Sequence, residues 1–135
     1  MQPQILVLIG TSNMSKPEST AGGALFDLVT ADREMRHEEA YTREGHTART
    51  LARERDLRIV LVVMKATARI AEHHAKETVS IQALSGHLRL RILNKVVELP
   101  AGQLLVLEGG LRHDVEAVLE SAFLLTLGFS QGISP

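Results

Sequence analysis

The chain has 135 residues, no cysteine and no tryptophan, and fifteen basic side chains against sixteen acidic ones. A chain of this length forms one domain and buries roughly two-thirds of its unfolded surface without a disulfide or metal staple, and the missing thiols exclude disulfides, thiolate metal sites and cysteine nucleophiles. A formal charge of −1, with three Phe and one Tyr, leaves neither the positive surplus nor the stacking rings that nucleic acid or an anionic membrane surface would require.

In chain order, the first apolar run is Ile5–Ile9, far short of the ~20 residues of a membrane span. No Lys or Arg precedes it, so it does not read as a secretory signal, and Gln4–Ile9 is expected as an added strand or a leader. Thr11–Gly23 is rich in Ser, Thr, Pro and Gly and reads as a linker. Met14 lies inside it and is a candidate natural start. Residues 1–24 are therefore assigned to an N-terminal extension, and residues 25–56 to a charged helical lead-in. In the lead-in, Asp32 with Arg36 and Glu39 with Arg43 stand four apart, acid first, as helix-supporting pairs do. The spacing predicts a helix over Ala31–Glu44, with Thr30 as N-cap and Gly45 as stop. Its apolar face holds only Met35 and Tyr41, which predicts a surface helix. His37 and His46 read as ordinary polar residues.

From Leu57 the period changes to two. Strands are predicted over Leu57–Met64, Val79–Leu84, Leu88–Ile92, Val96–Leu99, Leu104–Leu107, His113–Val118 and Ala122–Leu127, separated by Ser85-Gly86, Asn94-Lys95, Pro100-Ala101-Gly102 and Gly109-Gly110. Short strands with turn signals at this rhythm indicate an all-β sandwich or barrel, here over residues 57–129. Leu88, Leu90 and Ile92 are expected to face the core, and Arg89 and Arg91 the solvent. The Glu108-Gly109-Gly110 turn has no helix after it, so no nucleotide or flavin site is expected. No Gly-x-Ser-x-Gly elbow occurs.

Two stretches carry a family resemblance. Arg69-Ile70-Ala71-Glu72-His73-His74 runs on to Gln82-Ala83-Leu84-Ser85-Gly86, and Leu99-Pro100-Ala101-Gly102 runs through Glu108-Gly109-Gly110 to His113. They resemble the two motifs of the cupin superfamily. The first is a Gly, two closely spaced histidines, a Glu and a closing Gly; the second is a Gly, a Pro-x-Gly turn and a His two residues beyond the turn glycine. The resemblance implies a double-stranded β-helix, a jelly-roll barrel, here with a short N-terminal helix. It also implies a divalent ion held by three histidines and a carboxylate inside the barrel.

The ligand set departs from the motif. With Thr67 in the leading glycine position, the first ligand falls on His73 and the second on Ala75; with Ala66 there, they fall on Glu72 and His74. In both registers Val79 stands in the glutamate position, Ala117 in that of the asparagine that often follows, and Glu108 replaces the proline before Gly110. Strand alternation favours the first register. It places His113, Val115 and Ala117 on one face, opposite Asp114 and Glu116, and carried back from Val79, Ile81 and Ala83 it turns Ala71, His73 and Ala75 inward. A bulge, or Glu77 swinging back, would add a third ligand to His73 and His113. The candidate metal ligands are thus His73, His74 and His113, with Val79, Ile81, Ala83, Val115 and Ala117 lining the pocket. His87, after the Gly86 turn, reads as a surface residue.

Three functions follow. The chain is a small cupin that binds one divalent ion (zinc, nickel, iron or manganese) and acts on a small organic molecule; or it is a metal-free binding or sensing module; or it is a filled barrel whose edge mediates assembly. A homodimer is expected in each case, in the cytoplasm, with no nucleic-acid or membrane partner.

Overall fold

A computed structural model describes residues 13–14, 18–20, 22–73 and 75–130. Gln4–Ile9 and His74 therefore lie outside the described residues. The barrel strands are β4 (His46–Arg53), β5 (Leu57–Met64), β6 (Arg69–His73), β7 (Thr78–Ser85), β8 (His87–Ile92), β9 (Lys95–Pro100), β10 (Leu104–Leu107), β11 (His113–Ala117) and β12 (Ser121–Gly128), of which all but β4 and β6 are the predicted period-two segments. They are preceded by the short strands β1 (Asn13–Met14), β2 (Glu18–Thr20) and β3 (Gly23–Leu25), and by helices α1 (Leu28–Met35) and α2 (Glu39–Glu44). One sheet runs β1-β4-β5-β12-β7-β10, a second runs β6-β11-β8-β9, and β2 and β3 form a separate hairpin. β1 lies parallel to β4, and the other described pairs are antiparallel.

The two large sheets pack face to face because each offers an apolar inner face that only the other can cover. Val60, Val62 and Met64 of β5, Val79, Ile81 and Ala83 of β7, Leu88 and Leu90 of β8, and Phe123, Leu125 and Leu127 of β12 meet in one buried cluster. Leu88, Leu90 and Ile92 face inward as the alternation requires, while Arg89 ion-pairs with Glu98 on the outer face. No described helix is long and apolar enough to cross a membrane.

The lead-in differs from its sequence reading in three ways. First, His46–Arg53, assigned to the helical lead-in, is strand β4 of the large sheet. Its small and polar residues, and a register shift between Thr50 and Ala52, hide the period-two signal. Second, the helix begins at Leu28, capped by Asp27, whose carboxylate accepts hydrogen bonds from the Thr30 amide at 3.0 Å and the Thr30 hydroxyl at 2.8 Å. It breaks after Met35 and resumes as α2, which ends at Gly45 with a φ of 85°. Third, the helices are not merely superficial. Met35 is 0% and Tyr41 6% exposed, packed with Ala31 on Leu61 and Val63 of the large sheet's outer face. That covering explains the unbroken apolar run Val60–Met64: a strand buried on both faces has no polar side to alternate with. Arg49 holds the helices to β4 through Glu34 at 3.0 Å and Glu38 at 3.1 Å.

Candidate functional site

At one end of the barrel, β6 hands over to β7 and β10 to β11, and β12 ends at Gly128 between Leu57 and Thr78. The connections are locked together there: the Gly110 amide donates to the Ala75 carbonyl at 2.7 Å. Gly109 packs so closely on Lys76 that a Cβ would lie 3.0 Å from its carbonyl carbon.

β11 starts at this end with His113, which is 3% exposed, its Nδ1 facing the Leu111 carbonyl oxygen at 3.2 Å. The register pairs His113 with His73, then Val115 with Ile70, so β6 carries one extra residue between those pairs. The bulge shifts the phase that plain alternation would carry along β6. Ile70 packs on the core and Ala71 is exposed, the reverse of the inward placement expected for Ala71. The backbone thus brings His73 and His113 together, while His74 is outside the described residues.

The other positions of the motif are apolar. Ala75 and Val79, the second-histidine and glutamate positions, are each 3% exposed within the main core cluster. Ile81, Ala83, Val115 and Ala117 join them there, packed against Leu88, Leu90 and Leu125. Among the described residues no group of three or more His, Asp or Glu side chains gathers to hold a metal ion. The described donors alone do not make up a four-ligand site, which needs three or four convergent groups, and the side chains of His73 and His74 are outside what the structure describes. His87 lies outside the barrel, its Nε2 2.7 Å from Glu98 Oε1. Asp114 faces outward as its alternation implies, yet it is buried and ion-pairs with Arg69.

Beyond the packed interior, the inner-face alternation continues into two charged residues and an aromatic one that the sequence alone does not bring together. On β5 it reaches Arg58, paired in register with the buried Leu127. On β12 it reaches Phe129, whose amide donates to the Asp56 carbonyl at 2.9 Å. On β7 it reaches Glu77, one residue before Thr78, which pairs with Gly128. The Arg58 guanidinium carbon stands 4.8 Å from the Phe129 ring centroid, in cation–π contact. Glu77 and Phe129, with Lys76, Thr78, Gly128 and Ser130, line a cavity of about 780 Å³, within the usual size of a small-molecule site. The signal was in the sequence only as a phase: each residue lies one or two steps past the point where the apolar members of its strand end.

No family model matches the chain, and no curated protein matches it. Solved structures do. A conserved protein of unknown function from Streptococcus pyogenes superposes with a TM-score of 0.67 at 23% identity, over 88% of this chain and 98% of that one. A cupin superfamily protein from Desulfitobacterium hafniense gives 0.66 at 14% identity, over 86% of this chain and 100% of that one. Oxalate decarboxylase from Bacillus subtilis gives 0.61 at 22% identity, over 64% of this chain and 26% of the enzyme.

Proposed function

We infer that this chain, which has the cupin fold, is a small-molecule binding module whose site is the barrel mouth and which works without a resident metal ion. One observation carries the reading. Two of the four ligand positions inside the barrel are filled by Ala75 and Val79, while beyond them Glu77 lines a cavity of about 780 Å³ and Arg58 stands against Phe129, which lines it too. A packed interior below and an open, mixed polar and aromatic rim above suit orientation and capture of a ligand.

The test joins elemental analysis of protein purified without chelator to a fragment screen read by backbone amide shifts. The expected result is less than stoichiometric metal, with shifts that cluster on Lys76–Thr78 and Gly128–Ser130. Near-stoichiometric zinc, nickel, iron or manganese, lost in His73→Ala and His113→Ala, would overturn it in favour of an ion held by His73, His74 and His113. The Bacillus oxalate decarboxylase, which has Mn(II) centres, sets the precedent on this fold for that outcome. A screen without a single shift at the mouth would leave a filled barrel with an assembly role.

A further inference from the structure

Arg58 and Glu77 have opposite charges, and each keeps a buried polar atom out of any protein hydrogen bond. Among the described residues, neither Arg58 Nε nor Glu77 Oε1 has a hydrogen-bond partner, and no ion pair joins the two side chains. Both side chains are partly exposed, so the unmade hydrogen bond falls on one buried atom of each, and a complementary ligand would supply it.

Their placement is set by the large sheet. β12 lies between β5 and β7; Arg58 pairs with Leu127 and Glu77 falls opposite Phe129, two residues further on, so with strands about 4.8 Å apart and a rise of about 3.4 Å per residue their backbones stand about 12 Å apart. The aromatic ring holds the guanidinium from one side through the 4.8 Å contact, which fixes the direction of its remaining donors. Among the described residues no ion pair bridges this gap, and on its Glu77 and Phe129 side it borders the cavity those two residues line.

We propose that the barrel mouth takes a zwitterion, a compact molecule whose carboxylate is bound by Arg58 and whose ammonium is bound by Glu77. This rests on the barrel-mouth reading above and adds the ligand class to it. A guanidinium recognises a carboxylate by charge-assisted, often bidentate hydrogen bonds, and a carboxylate accepts from an ammonium with the same gain. A singly charged ligand would engage one of the two side chains and leave the other's buried atom without a partner, so the site discriminates by penalty as well as by attraction. Lys76 is exposed on the rim and solvated, and contributes little to the choice.

The experiment titrates the full chain with 4-aminobutyrate and, separately, with butyrate and butylamine, following the amides of Thr78, Gly128 and Phe129. The expected result is that 4-aminobutyrate shifts these amides and binds at least about tenfold tighter than either singly charged analogue, a difference of about 1.4 kcal/mol. Arg58→Gln and Glu77→Gln should each reduce the zwitterion's affinity to that of the analogues. Butyrate or butylamine binding as well as 4-aminobutyrate would overturn the assignment of ligand class while leaving the mouth as the binding site. No shift with any of the three probes would overturn it too. The mouth reading falls only if the wider fragment screen also leaves these amides unmoved. Because the comparison among probes uses the unaltered chain, it decides the question even if a variant fails to fold.

Discussion

Gly86 joins β7 to β8 where the large sheet passes into the small one, and it offers the most direct test of how tightly the barrel is closed at the end opposite the mouth. Its φ is +77°, a conformation that costs an L side chain about 1 kcal/mol. A Cβ at this position would also lie 2.8 Å from Ser121 Cα and collide with the Glu120 carbonyl oxygen and the Ser121 hydroxyl. Ser121 cannot retreat freely: its hydroxyl accepts from the His87 amide at 3.0 Å and donates to the Leu119 carbonyl at 2.7 Å. Displacing it forfeits two hydrogen bonds worth about 1 kcal/mol each, so Gly86→Ala should cost about 3 kcal/mol. For a chain of 135 residues, an unfolding entropy of about 2.1 cal/mol/K per residue converts this into a fall in Tm of roughly 11 °C. Gly102→Ala is the control. Its φ is +89° but nothing lies within 4 Å of the added Cβ, so it should pay the conformational cost alone, roughly 4 °C. Thermal unfolding of both variants by circular dichroism measures the difference. Equal falls for the two would refute the reasoning, because they would mean that the turn before β12 yields to Gly86 without loss.

Three further outcomes are expected. Leu90→Ala removes a fully buried side chain from the middle of β8 and should cost about 3 kcal/mol or more in urea unfolding, from lost transfer energy and the cavity left behind. On acidification, the Asp27 carboxyl is held below its ordinary 3.8 by the Thr30 amide and hydroxyl, and Glu98 below its ordinary 4.5 by Arg89 and then His87. Depressed carboxyl pKa values stabilise the fold above the unfolded values and lose that stability as pH falls through the folded ones. Stability should therefore decline below about pH 4.5, and Asp27→Asn with Glu98→Gln should flatten that limb in pH-dependent unfolding. Finally, β10 is the edge strand of the large sheet, and Leu104 and Val106 on it are 59% and 60% exposed. An open, apolar edge invites pairing with a second copy. Light scattering should give twice 14.8 kDa, and Val106→Lys should halve it; a monomer at micromolar concentration would remove the homodimer.

Much of the barrel was legible because strand alternation is a local property. β5, β7, β8, β9, β10, β11 and β12 fall within one or two residues of their expected bounds, and the inward phase of Leu88, Leu90, Val115 and Ala117 follows from period two alone. The apolar substitution of the motif at Ala75 and Val79 could also be read from the chain. What could not be read is anything that depends on a second element coming to lie alongside. β4 has few apolar residues and a bulge, and is a strand because β5 and β1 pair with it. Met35 and Tyr41 look thin as an apolar face, and are buried because Leu61 and Val63 present a matching one. In β6 the extra residue that sets His73 opposite His113 exists only as a mismatch of two strands, so no single-strand count reveals it.

The sequence by itself therefore determined the fold class, the inner and outer phase of most strands and the loss of metal-ligand character at two positions, since each is carried by neighbours along the chain. The tertiary structure decided the site. Arg58, Glu77 and Phe129 belong to segments far apart in sequence and meet only because β12 lies between β5 and β7. Among the described residues one buried atom each of Arg58 and Glu77 has no hydrogen-bond partner, which is a property of an assembled surface and not of a local pattern.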